Sequence, residues 1–304
     1  MKGRITMPNV QLCPAKIRVV PNVKLIKNIT EFDAEDYHEL IDGVKGGVIE
    51  KRNHKKHGTV ATTYKISNAD GYDDENPLTE FDAAVLSACL SEQKIGNVHS
   101  TFAIILRALT GKTRETSNGA VNKNQREAIE HSVTKLMQTI IDVDLSDTNK
   151  SLGYNDGKKQ RLRSPILPCK FVTTTINGQP VNDVIYFLDE SPVMIIAEQR
   201  NQILRYDTEL LDVSGQNNTP LVITLKNYVM RRVAEIKAHK MTPTLTFTDI
   251  FKRARISETA SRDTKKELRH IVEKFFENLQ TKGAVKSFEL IKRGVTVHAV
   301  KFTF

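Results

Sequence analysis

Cysteine is scarce in this 304-residue chain: Cys13, Cys89 and Cys169 stand alone, odd in number and far apart. That excludes a disulfide framework and any thiolate metal spacing, and it predicts a reducing cytoplasm. Cys89 falls on an apolar helical face and reads as a small core residue. Tryptophan is absent and aromatics reach only 6%, but a hydrophobic fraction of 39% is compatible with a folded, soluble chain. No apolar run approaches the ~18 residues of a membrane span, and the N-terminus lacks a continuous apolar segment, so no membrane partner is expected.

Chemistry-bearing motifs are also missing. Gly111-Lys112-Thr113 has Leu106 where a phosphate-binding loop needs glycine, and reads as a helix C-cap followed by a basic turn. His54 and His57 lie three apart in a polar stretch. A metal site would need a third ligand, for which only His38 or Asp42 offers itself, and a solvated loop is the simpler reading. The apolar-flanked histidine pair and nucleophilic tyrosine of a relaxase are not found. Asp142 and Asp144 have no further carboxylate partner. The expectation is a protein that is not an enzyme and carries no metal or cofactor.

What the chain does have is positive charge in one place. From Leu221 onward 18 Lys and Arg face 8 Asp and Glu, a net +10, which leaves −1 for everything before it out of a total of +9. A polyanion-binding part beside a nearly neutral one is the natural reading.

The basic part has a recognisable order of elements. Leu245 and Phe247 alternate as a short strand, with Thr248 and Asp249 supplying caps for a helix that buries Ile250, Phe251 and Ala254. Ser261 caps a longer helix whose apolar stripe is Leu268, Ile271, Val272, Phe275, Phe276 and Leu279. Gly283 closes it. Val285 to Ile291 and Val295 to Phe304 are β-rich, joined by a hairpin tip at Lys292-Arg293-Gly294. With Leu268 at the centre of the buried stripe, Arg262, Lys265, Lys266 and Arg269 share one flank near the helix N-terminus, where the helix dipole favours phosphate. Glu273 and Glu277 make the second half acidic. Lysine and arginine on a helix more often form a plain solvated face; the basic hairpin tip and the element order favour DNA contact instead.

An equivalent order occurs earlier. Residues 1–76 form an extension with short β-like runs (Ile17 to Val20, Val23 to Ile26, Thr59 to Ile66) and a polar helical patch around Ala34 to Ile41. Asn68 to Pro77 is a loop by composition. Thr79 then caps a helix bearing Phe81, Val85, Leu86, Cys89 and Leu90, ended by Gly96. Val98 is a short strand candidate, and Ser100 or Thr101 opens a helix through Leu109. A third helix spans Asn122 to Met137, and Ile140 to Leu145 reads as a strand. Ser146 to Ser164 is a polar insert carrying Lys150, Lys158, Lys159, Arg161 and Arg163. By position it is a wing or a mobile loop, and a DNA-contacting arm or a plain surface loop both fit. Ile166 to Ile176, Val181 to Leu188 and Val193 to Ile196 follow as a β-rich segment. Gln199 to Leu211 reads as helix or strand-to-loop connection, and Ser214 to Pro220 as the linker. The architecture repeats without residue-level identity between the halves.

The expected fold is therefore α+β: an N-terminal β-rich extension (1–76), a first winged-helix domain (77–213) and a second (221–304). In the residues Leu78-Thr79-Glu80, Phe247-Thr248-Asp249-Ile250, Glu267 to Leu279 and Lys292-Arg293-Gly294 through Phe304, the chain resembles plasmid replication initiator (Rep) proteins of the two-winged-helix, iteron-binding type. The likeness covers about residues 78–304. It implies a C-terminal unit reading origin repeats of double-stranded DNA in the major groove. It also implies a first unit that forms a homodimer or adds an auxiliary DNA contact, and recruitment of host replication proteins. Arg262, Lys265, Lys266, Arg269, Lys292 and Arg293, with Lys158, Lys159, Arg161 and Arg163 of the insert, are the expected DNA-binding residues. A transcriptional regulator using the same helices on an operator is the alternative. A third, an interaction protein whose winged helices bind only proteins, is disfavoured by the concentrated C-terminal charge.

Overall fold

In a computed structural model, the chain is described over residues 15–21, 49–52, 63–68, 78–113, 121–144, 161–176, 179–199 and 202–304. Cys13, His38, Asp42, His54, His57, Lys150, Lys158, Lys159 and the loop after Asn68 lie outside these residues. Helices and several small antiparallel sheets make it an α+β structure.

The second half carries the clearest order. Helix α5 (Pro220–His239) leads to strand β10 (Thr244–Thr246), helices α6 (Phe247–Arg253) and α7 (Arg262–Thr281), and the hairpin β11 (Ser287–Arg293) with β12 (Thr296–Thr303). The short strand pairs with the last one, giving the order β10-β12-β11. Helix α7 buries Leu268, Val272, Phe275, Phe276 and Leu279, the three- and four-residue stripe visible in the sequence. Phe276 packs against Phe288 and Phe302 of the hairpin at centroid distances of 5.6 and 5.4 Å.

The first half repeats this pattern. Helix α1 (Glu80–Lys94), strand β4 (His99–Thr101) and helices α2 (Phe102–Thr110) and α3 (Lys123–Gln138) are followed by the hairpin β7 (Cys169–Ile176) and β8 (Gln179–Phe187). Its strand order is β4-β8-β7, again first, third, second. The hairpin that pairs with the short strand is thus β7–β8 and not the 146–164 insert. The insert instead follows β5 (Thr139–Asp144) and its last four residues form part of β6 (Arg161–Pro165); both strands join β2 (Ile49–Arg52) and β3 (Thr63–Asn68) in a separate four-stranded sheet, β2-β3-β5-β6.

Two local readings are corrected. Val193 to Ile196 is not a strand but part of helix α4 (Pro192–Gln199). Proline at the first helical position suits a helix start, and Val193, Met194, Ile196 and Ala197 are all buried, which removes the alternation a half-exposed strand would show. Helix α6 is capped by Thr246, whose Oγ accepts the Asp249 N–H at 3.1 Å, so it starts two residues before the expected Thr248.

The apolar side chains form two cores that meet along a seam. Strand β1 (Ile17–Pro21) pairs with β9 (Ile203–Asp207), and its adjacent Val19 and Val20 point to opposite cores, as strand alternation requires. Helix α5 is shared too: Ile223 belongs to the first core, while Leu225, Val229 and Val233 belong to the second. The Ser214–Pro220 stretch therefore leads directly into a helix packed on both halves.

Candidate nucleic-acid interface

Ser261 fixes the start of α7, its Oγ accepting the Thr264 N–H at 3.0 Å. Of the four flank cations, Arg262 and Lys266 are exposed. They lie four residues apart, hence on one strip, while Asp263 and Glu267 sit about 100° further round the helix. Lys265 is half-buried and donates from Nζ to the Glu258 carbonyl at 2.5 Å, tying the helix start to the preceding turn. Arg269 is half-buried as well. Its guanidinium lies 5.7 Å from the Phe247 ring centre and 5.4 Å from that of Phe251. Such stacking is favourable and holds Arg269 on its own unit. The structure thus divides the expected quartet: two cations free on the surface, two engaged internally. His270 extends the exposed strip, with Nδ1 3.5 Å from a Glu273 oxygen.

The hairpin tip adds Lys292 and Arg293, both exposed, beside Gly294 at φ +59° and Val295, which is 87% exposed. A positive φ at the tip is why glycine occupies it. Arg161 and Arg163, expected in a wing or mobile loop, instead belong to strand β6: Arg163 is exposed and stands opposite Asp142 in the β5–β6 register, and Arg161 opens the strand opposite Asp144.

The counterpart helix of the first half is different. On α3, Arg126 forms an ion pair with Asp183 of β8 and Lys135 lies 2.6 Å from Asp82 of α1. Lys123 and Glu127 are neighbours at 3.8 Å. The cations of α3 are matched within the fold, whereas Arg262 and Lys266 of α7 have no such partner among the described residues.

The sequence count took in every C-terminal cation without separating buried from exposed, and so it missed the seam. Arg231 of α5 donates from Nη2 to both Glu80 oxygens at 2.7 and 2.8 Å, with side-chain exposures of 10% and 2%. Asn227, one turn earlier, donates to the Leu109 carbonyl at 2.9 Å. Arg18 of β1 is fully buried and donates to the Ala108 carbonyl at 2.6 Å; burial lowers its pKa. Lys226 is buried with Nζ on the Leu211 carbonyl at 2.9 Å and Asn218 Oδ1 at 2.8 Å, and burial brings its pKa down to about 8. The sequence holds only a partial signal: Lys226, Asn227 and Arg231 fall among Leu225, Tyr228, Val229, Met230 and Val233, as buried polar groups with partners do, but nothing in it names those partners.

No protein-family model matches the chain, and no curated protein matches it by sequence. Among solved structures it is similar to domains 2 and 3 of RctB in two crystal structures. One is 12% identical, covers 86% of this chain and 92% of that one, and has a TM-score of 0.39. The other is 10% identical, covers 86% and 93%, and has a TM-score of 0.42. Likeness at this level bears on neither function nor site. No helix among the described residues is long and apolar enough to cross a membrane.

Proposed function

We propose that the chain is a sequence-specific double-stranded DNA-binding protein built on two tandem winged-helix domains, acting by binding and not by catalysis in the cytoplasm. Helix α7 enters the major groove with Arg262 and Lys266 forward, and the β11–β12 tip places Lys292 and Arg293 on the phosphates. The observation that carries this is the contrast between matched helices: α7 leaves Arg262 and Lys266 exposed at its N-terminal end with no anionic partner among the described residues, whereas α3 pairs Arg126 and Lys135 within the fold and leaves exposed only Lys123, beside Glu127. Two non-identical units in one chain fit an asymmetric, directly repeated site, as a replication initiator on origin repeats would need. A transcriptional regulator on an operator is the second reading.

The test is a mobility shift on the DNA flanking the gene. Direct repeats of about two helical turns that shift as a ladder support the initiator; a single bound inverted repeat supports the regulator. Replacing Arg262 and Lys266 by alanine should weaken specific binding by ~1–3 kcal/mol for each residue that contacts a base. Unchanged binding at matched salt would falsify the placement of α7.

A further inference from the structure

A second surface, in the first half, has a different chemistry. Where the end of α1 meets β4 and β8, a concavity of about 440 Å³ opens over a floor of Leu90, Phe187 and Met194. That is within the ~300–1,000 Å³ of ordinary binding pockets. Two aliphatic side chains on its rim, Val98 and Leu188, are 58% and 57% exposed. Single exposed aliphatics need no explanation; here two line one hollow above a buried apolar floor, which gives an apolar side chain a place to sit.

The polar part of the rim selects the occupant. Asp189 and Glu190 both line the hollow and are exposed, and neither carboxylate has a cation partner among the described residues. Asp189 Oδ1 only accepts the Glu190 N–H, at 2.7 Å. Lys94, the one cation lining the hollow, is held in an ion pair by Glu198. Gln93 donates from Nε2 to the Asp189 carbonyl at 3.0 Å, but its Oε1 is buried without a partner. The carboxylates repel phosphate, so nucleic acid does not fit here.

We propose that this hollow docks a segment of a partner protein that presents a large apolar side chain flanked by lysine or arginine. The apolar group fills the space over Met194 and the cations face Asp189 and Glu190. This holds whether or not α7 binds DNA.

A short helical peptide with leucines on one face and lysines elsewhere is the probe, with a glutamate-for-lysine counterpart as control, titrated into the full chain. Fluorescence anisotropy and the Met194 methyl resonance are followed together. The lysine peptide should bind and shift Met194. Its affinity should fall by about tenfold or more in Val98→Ser/Leu188→Ser, which removes the apolar rim without adding charge. Asp189→Asn/Glu190→Gln keeps the local hydrogen bond and should weaken binding severalfold, more at low salt than at high. Equal binding to these variants, an unmoved Met194, or preference for the glutamate peptide would each overturn the proposal. So would a change from dimer to monomer in sedimentation of Val98→Ser/Leu188→Ser, which would make a second copy the occupant.

Discussion

Replacing Arg231 by methionine should be far more damaging than its place in a basic C-terminal half suggests. Arg231 grips both oxygens of Glu80 across the seam between α5 and α1, and its guanidinium also lies 5.7 Å from the Tyr228 ring centre. The Glu80 side chain is 2% exposed, so deleting the guanidinium removes a two-oxygen charge partner from a carboxylate that bulk water barely reaches. Breaking a buried pair from one side costs about 3–5 kcal/mol, whereas replacing both partners by apolar groups is close to neutral. With a urea slope of about 3 kcal/mol per molar, the midpoint of Arg231→Met should drop by roughly 1–2 M, and that of Glu80→Leu/Arg231→Met should stay near wild type. Urea unfolding of the wild type, both singles and the double closes the cycle. Because the pair joins the two cores, Arg231→Met should also separate one cooperative transition into two. A single-variant loss below about 1 kcal/mol is what a water-exposed pair would give, and it would refute the seam as a dry, coupling contact.

Other measurements probe neighbouring features. Gly111 caps α2 at φ +75°, and a Cβ there would come within 2.5 Å of Asp212 N and Thr208 O. Gly111→Ala should therefore lower the melting temperature well beyond Gly96→Ala, which at φ +90° meets no atoms and costs only about 1–2 kcal/mol in backbone strain. Lys226, at about pH 8 in the folded state against 10.5 unfolded, is charged in both states below pH 8, where its burial is a fixed cost. Between pH 8 and 10.5 the unfolded chain holds more protons, so stability rises with pH, by roughly 3 kcal/mol in all. The wild-type minus Lys226→Met difference in urea midpoint should show that rise; a flat difference would remove Lys226 as its cause. Arg269→Ala should reduce stability by about 1 kcal/mol through its lost stacking on Phe247 and Phe251, measurable without DNA. Specific DNA binding should fall steeply with salt, and a flat response would contradict phosphate contact.

Much of the fold was legible because local chemistry and burial agree. Thr79, Asn122 and Ser261 cap their helices as their residue types promise, and the Leu268-to-Leu279 stripe is the buried face of α7. The repeat was legible as an order of elements but not as residues, although one correspondence exists. Thr101-Phe102 and Thr246-Phe247 both place the helix cap at the end of the short strand and the ring at the first helical position. Ile105 and Ile250, three residues on from each phenylalanine, are both fully buried. Thr-Phe-x-x-Ile is too short to stand out without the strand pairing that aligns the two. The seam was illegible for a different reason. Nothing in the sequence says that Arg231 meets Glu80, 151 residues away, since long-range pairing depends on how the two cores dock.

The candidate site shows the same limit in its electrostatics. Helices α3 and α7 occupy equivalent places in the two strand orders and both carry lysine and arginine near the start. Counting charge ranks them only by the company of their whole halves. What separates them is where each cation goes: Arg126 to Asp183 and Lys135 to Asp82, against Arg262 and Lys266 standing clear. A cation already paired in the fold gains little from a phosphate, because the new contact must first displace the old one, while an unpaired exposed cation releases counterions at no such cost. The same reasoning removes Arg231 and Lys226 from the polyanion surface, although both count towards the net +10. Charge that recognises a partner is the part the fold leaves uncompensated. By that measure the helix to test first is α7, through Arg262 and Lys266 before Lys265 and Arg269.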